Sequence, residues 1–329
     1  MFDVYLNIKI LFINKSYIMK RTSLLWLLTA SISLNLCLGC KSETKELATF
    51  EAPENNLKLT NYPQTILPKD TTQLWVGEGS MDRDTVFIAA DGGPINHLGY
   101  MSNGKTQWTY VPGFKNYIFA NVHQASTYNP EIFNWKNEFT LKDGIREVDN
   151  SSEILYRTIK YFKDRKKYVI VVGNSYSAFV IPHYLATRPS LADTYLITGG
   201  RLTADSLQTY FQLKGFNSGF EEDGKTLIIP DTLAEPNPYR SEKYYQIRQA
   251  KEMLKAGLSI HDFTEELVDV DLSNFHFFYG LKDENVGVPT QKELDFLSSK
   301  KAKIYAIDTD HYNIWKRVID FLRAGTLKL

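Results

Sequence analysis

The residues best placed to do chemistry lie in Tyr168 to Ser177, YVIVVGNSYS. A β-branched apolar run ends at Gly173, Asn174, Ser175, Tyr176 and Ser177, and a helix is predicted from Ala178 to Thr187. The pattern is strand, sharp turn, helix, with a serine at the apex. So tight a turn calls for small residues two before and two after the serine, and Gly173 and Ser177 meet that need. The turn lifts the hydroxyl above the sheet edge, with a helix N-terminus beneath it. Serine is a poor nucleophile unless a base takes its proton as it attacks, so a base is required from elsewhere in the chain. Acyl transfer also needs donors for a developing oxyanion. Asp91-Gly92-Gly93-Pro94 follows the apolar run Thr85–Ala90, and its glycines allow a close backbone approach to substrate. The same tripeptide marks ordinary turns as well.

Gly173 to Ser177 resembles the nucleophile elbow of the α/β-hydrolase family, with Gly-x-Ser-x-Gly relaxed to Gly-x-Ser-x-Ser. In that family the order is nucleophile, acid, histidine, each on a loop after a strand. Downstream, Phe275–Tyr279 reads as a buried strand running into Gly280–Gly287. Ala302–Ile307 reads as another, running into Asp308–Asn313. The resemblance therefore implies Ser175 as nucleophile, Asp283 as acid and His311 as general base. Glu284 and Asp271 compete with Asp283 for the acid, while Asp308 and Asp310 flank the histidine too closely. For the oxyanion it implies the backbone N–H of Tyr176 together with Gly92 and Gly93, whose loop is similar to the family's His-Gly-Gly-Pro with Asp91 in place of His.

The fold implied is α/β, a mostly parallel central sheet with helices on both faces and a helical cap or lid insertion. The activity implied is cleavage of a carboxylic ester, with a small-molecule or peptide substrate and no cofactor. Two other readings remain open. Gly92-Gly93-Pro94 and His123–Ser126 are similar to segments of the proline iminopeptidase branch, which would make the chain a peptidase or amidase. That branch shows Gly-Gly-Pro-Gly and Asp-Gln-Arg-Gly, and here Ile95 and His123-Gln-Ala-Ser stand instead. The third reading is a non-catalytic scaffold. The resemblance spans about Thr85 to the C-terminus.

Several elements must position these residues. Thr72–Glu78 reads as an early strand, and Thr85–Ala90, Asn116–Val122 and Asp193–Thr198 as further ones. Asn150-Ser-Ser-Glu153 reads as a capping box opening a helix, with Ile154, Leu155, Ile159 and Phe162 on one face. A last helix carries Ile314, Trp315, Val318, Ile319 and Leu322 and stops near Gly325. Strands alternating with helices predict a parallel sheet buried on both faces, which accounts for unbroken apolar strands. Arg201 to about Leu272 breaks the alternation with a predicted helix, Ser241–Ala256, and is read as the lid. Pro182 falls inside the helix after the serine and predicts a bend or a short first segment.

The chain has 329 residues and balanced charge, with 38 Lys+Arg against 38 Asp+Glu. It has no basic cluster for phosphates, so no nucleic-acid partner is expected. Among six histidines no His-x-His or His-x-x-x-His pair occurs, so no metal site is expected, and His276 reads as a core residue. The two cysteines are Cys37 and Cys40. They end a segment in which Lys20 and Arg21 precede an apolar stretch, the anatomy of a secretory signal that starts at Met19. Leu38-Gly39-Cys40 followed by polar Lys41–Glu46 resembles a bacterial lipobox, implying a lipid on Cys40 and a membrane-anchored lipoprotein of the cell envelope. Lys41 points toward the outer membrane under the enterobacterial sorting rule. The organisation expected is signal segment 1–39, polar tether 40–61 and hydrolase domain 62–329, with the lid at about 201–272.

Overall fold

The computed structural model describes residues 62–98, 110–134, 136–231, 237 and 239–327. The expected signal segment, Cys40 and the tether lie outside the described residues. Seven strands are present among them: β1 (Trp75–Glu78), β2 (Thr85–Ala90), β3 (Ile118–Val122), β4 (Tyr168–Asn174), β5 (Thr194–Thr198), β6 (Phe275–Lys282) and β7 (Lys303–Asp310). They form one sheet in the order β1-β3-β2-β4-β5-β6-β7. The β1–β3 pair is antiparallel and every other pair is parallel.

The apolar runs serve two cores at once. Val86, Ile88 and Ala90 of β2 join Val169 and Val171 of β4 in a cluster on one face. Phe87, Ala89, Ile170 and Val172 join a second cluster on the other. Side chains alternate across a strand, so a strand covered on both faces has to be apolar at every position. The first face is covered by α2 (Leu141–Lys163) and α3 (Tyr176–Thr187), the second by α8 (Ile314–Arg323). The short helix α1 (Ala125–Tyr128) follows β3.

The start of α2 differs from the sequence expectation. Thr140 and Asp143 form the capping box, ten residues ahead of the one read at Asn150–Glu153, which lies mid-helix. The polar side chains there are used elsewhere: Ser151 Oγ donates to the Glu147 carbonyl at 2.9 Å and accepts the Ala125 N–H at 3.0 Å. Ser152 Oγ lies 2.8 Å from His183 Nδ1. Pro182 is accommodated within a continuous α3. Strands β6 and β7 each run three residues past the apolar segment, because their ladder continues to the Lys282–Asp310 pairing.

Between β5 and β6 the chain forms α4 (Ser206–Leu213), α5 (Glu242–Ser259) and α6 (Phe263–Glu266). Helix α5 packs closely on α2 at two glycines. A Cβ at Gly144 would lie 2.3 Å from the Met253 carbonyl oxygen, and one at Gly257 would lie 2.9 Å from the Gly144 carbonyl carbon. Met253, Leu254 and Leu258 are thereby drawn into the main core. The inserted region is thus rooted in the body of the domain. Helix α7 (Gln291–Ser299) lies between β6 and β7, and its buried Glu293 receives Arg201, at 2.9 Å, and the Leu202 N–H, at 2.7 Å, from the start of the insertion.

Two buried histidines make the fold sensitive to acid. Burial and the neighbouring His261 and Arg188 push His183 down to about 4. Burial and the adjacent Lys303 do the same to His276, which stacks on Tyr305 as the sequence suggested for a core residue. Both rings are neutral in the fold and would take a proton near 6.5 when unfolded. The unfolded chain therefore binds more protons between those values. Stability is full above about pH 6.5 and is lost as pH falls toward 4, by on the order of 3 kcal/mol per histidine. The urea midpoint should accordingly drop between pH 7 and pH 4.5, and His276→Phe should flatten that drop. An equal drop in the variant would assign it to other groups.

Candidate active site

Strand β4 ends in a sharp turn into α3. Ser175 has φ 53° and ψ −116°, a conformation that costs a non-glycine residue on the order of 1–3 kcal/mol. The strain is held from both sides: its N–H donates to the Thr198 carbonyl at 2.9 Å and its carbonyl accepts from Ala178 at 2.8 Å. Gly173 is needed because a Cβ there would lie 2.8 Å from the Ser177 carbonyl oxygen. Ser177, which departs from the usual glycine, is buried, and its Oγ donates to the Asp91 carbonyl at 2.5 Å. The substituted position thus ties the serine turn to the loop after β2.

Ser175, Asp283 and His311, far apart in sequence, come together at the C-terminal edge of the sheet. His311 Nε2 lies 2.9 Å from Ser175 Oγ. Its Nδ1 lies 2.9 and 2.8 Å from the two carboxylate oxygens of Asp283. Asp283 is almost fully buried, and its Oδ1 also accepts the N–H groups of Asn285 and Val286 at 3.1 and 3.0 Å. A carboxylate held this way fixes the imidazole with Nδ1 protonated and Nε2 free to accept the serine proton.

The competitors for the acid are placed elsewhere. Asp271 caps Ser273 on an exposed turn. Asp308 pairs with Lys282, and Asp310 binds Asn313. Glu284 has a different part: its Oε2 accepts the His311 backbone N–H at 3.2 Å. It therefore braces the histidine loop from the neighbouring strand end.

The Tyr176 N–H opens α3 and has no carbonyl one turn back to receive it, so it is free to meet an anion at the helix N-terminus. Gly92 and Gly93 line the same cavity as Ser175. A Cβ at Gly92 would stand 3.2 Å from the Ser175 Cβ, so the loop backbone lies directly against the serine. One residue escaped the sequence reading. Gln124, the N-cap of α1 just after β3, is buried and its Nε2 donates to the carbonyls of Asp91 and Gly92 at 2.7 and 2.9 Å. Its signal was present in His123–Ser126, but as a family segment and without a role. By holding both carbonyls it sets the direction of the N–H groups that follow.

This clamp has a measurable consequence. Gln124→Met removes both hydrogen bonds at nearly constant volume. We expect kcat for an ester to fall up to about 10²-fold with a smaller change in KM, because an oxyanion donor acts chiefly in the transition state. A KM effect with unchanged kcat would mean that Gln124 supports substrate binding instead.

The site opens into a cavity of about 530 Å³, bounded by the serine turn, the loop after β2, the β5–β6 insertion and the residues around His311. Among the described residues no cluster of His, Cys, Asp and Glu is arranged to hold a metal ion. The other histidines have separate partners: His183 with Ser152, His261 with Glu266, and His123 with Thr127.

Strand order, the antiparallel edge strand, and a sharp serine turn after the central strand together define an α/β-hydrolase fold. No protein-family model and no curated protein matches the chain. Solved structures do resemble it. A lipase-esterase related protein from Clostridium acetobutylicum is 12% identical with a TM-score of 0.45, covering 76% of this chain and 98% of its own. A hydrolase from Oleispira antarctica is 9% identical with a TM-score of 0.46, covering 78% and 97%. An esterase from Exiguobacterium antarcticum is 11% identical with a TM-score of 0.44, covering 77% and 93%. At such scores these likenesses carry no weight for the activity.

Proposed function

We propose that this chain is a serine hydrolase that cleaves carboxylic esters through an acyl-enzyme. The observation that carries the reading is the unbroken hydrogen-bonded series from Ser175 Oγ through His311 to buried Asp283, opening on a cavity. Ser175 Oγ attacks the ester carbonyl while His311 Nε2 takes its proton. The developing oxyanion meets the Tyr176 N–H and an N–H of the Gly92–Gly93 loop. The C–O bond then breaks, and the alcohol leaves with the proton carried by His311. Water, deprotonated by the same nitrogen, attacks the acyl-serine and releases the acid. Asp283 keeps its charge throughout and stabilises the imidazolium.

Turnover of short p-nitrophenyl esters tests this directly. We expect ester cleavage well above the rate for the matching p-nitroanilide. Anilide cleavage equal to or faster than ester cleavage would favour a peptidase, and cleavage of neither would contradict the proposal.

The proposal includes a location at the cell envelope, with a lipid on Cys40. Its support is the apolar segment ending in Leu38-Gly39-Cys40. Cys40→Ser should release the protein from membranes or leave an uncleaved precursor of altered mobility, read by fractionation and intact mass. A mature wild-type chain that begins at another residue and bears no acyl group would contradict it.

A further inference from the structure

Ligand pockets are mostly apolar with a few placed polar groups. The wall that the β5–β6 insertion and the Asp283 loop contribute to this cavity is different. It carries four carboxamides, Gln208, Gln212, Asn217 and Asn285, with the hydroxyl of Ser218 among them. Two of these groups are nine-tenths buried and have a polar atom with no protein partner among the described residues: Gln212 Oε1 and Ser218 Oγ. Buried polar atoms left without a partner are costly, and a polar occupant beside this wall lowers that cost when the side chains turn toward it. The wall is rigid, since Gln208 Nε2 donates to the carbonyls of Ser218 and Asn285 at 3.3 and 3.1 Å.

Charge narrows the ligand further. The lining among the described residues contains no carboxylate, and its one lysine, Lys255, is already bound by Glu252 and Asn217, each at 2.9 Å. A neutral partner rich in hydroxyls fits such a surface, because each hydroxyl can both donate to a carboxamide oxygen and accept from an amide N–H. Trp315 also lines the cavity, and an indole ring is complementary to the C–H face of a sugar ring. An alkyl chain laid against the same wall would leave its amides unpaired.

Resting on the ester-hydrolase reading, we propose that the substrate is an O-acylated carbohydrate or similar polyol, with a short acyl group. The hydroxylated alcohol lies against the carboxamide wall and departs as a neutral hydroxyl, taking the proton from His311 as its bond to the acyl carbon breaks.

The test varies the alcohol and the acyl chain separately. Positional isomers of monoacetylated methyl glucoside are set against ethyl acetate, and p-nitrophenyl decanoate against p-nitrophenyl acetate. The proposal predicts at least tenfold higher kcat/KM for one or more sugar acetates than for ethyl acetate, and preference for acetate over decanoate. In Gln212→Leu and in Ser218→Ala, the ratio of sugar acetate to ethyl acetate should fall tenfold or more, as expected when a buried hydrogen bond to substrate is lost. The wild-type preference decides the matter even if one variant fails to fold. Equal turnover of ethyl acetate and every sugar acetate, preference for decanoate, or an unchanged ratio in both variants would overturn this inference while leaving Ser175-dependent ester cleavage standing. No cleavage of any ester would overturn the hydrolase reading, and this inference with it.

Discussion

Ser175→Ala is expected to lower kcat for a short ester by on the order of 10⁶-fold, the scale seen when a serine nucleophile is removed. The fold should survive. The side chain makes its one described hydrogen bond to His311, and the turn is held by backbone contacts to Thr198 and Ala178. Alanine fits the space and meets the same backbone strain as serine. Circular dichroism and the thermal midpoint should therefore match wild type within a few degrees while activity vanishes. A folded Ser175→Ala protein that keeps even a few per cent of wild-type kcat would remove Ser175 from the role proposed for it.

The second large effect is at the acid. Asp283→Asn keeps the shape of the side chain, but its amide can donate to Nδ1 and so favour the tautomer in which Nε2 carries the proton. Nε2 then cannot accept from Ser175. A loss of about 10⁴-fold in kcat is expected, with the histidine still in place. Glu284 separates position from charge. Glu284→Gln retains an oxygen that can accept the His311 N–H, so its cost should stay below about tenfold. Glu284→Ala removes the brace, leaves a backbone N–H without its acceptor and should cost more. If Glu284→Gln were the crippling change and Asp283→Asn nearly silent, the proton relay would have to be redrawn around Glu284.

The contrast between these neighbours marks how far the sequence reaches. The serine turn was legible because its demands are local: an apolar run, a glycine, a serine, a helix start. The positions of Asp283 and His311 were legible because each follows an apolar strand, which fixes its place at the sheet edge. Glu284 was not, because its contact with His311 depends on how β6 and β7 are staggered at their ends, where the ladder shifts register between Gly280 and Lys282. The beginning of α2 was misplaced for a related reason. Asn150 to Glu153 has capping-box composition, but tertiary partners on α1 and α3 satisfy Ser151 and Ser152 inside the helix. Gln124 lay hidden because its value comes from two carbonyls more than thirty positions away. The shape of the β5–β6 insertion was legible only as a change of texture. Its rooting on α2 rests on a paired close approach at Gly144 and Gly257, and a single sequence does not say which glycines meet.

The central claim is that Ser175 is an activated nucleophile. The most direct measurement is reaction of the purified protein with a fluorophosphonate probe, followed by mass mapping of the modified peptide. The account predicts one phosphonyl group per chain, on Ser175, with labelling lost in Ser175→Ala and strongly slowed in Asp283→Asn. Absence of labelling in the folded wild-type protein, or modification at another residue that persists in Ser175→Ala, would contradict it.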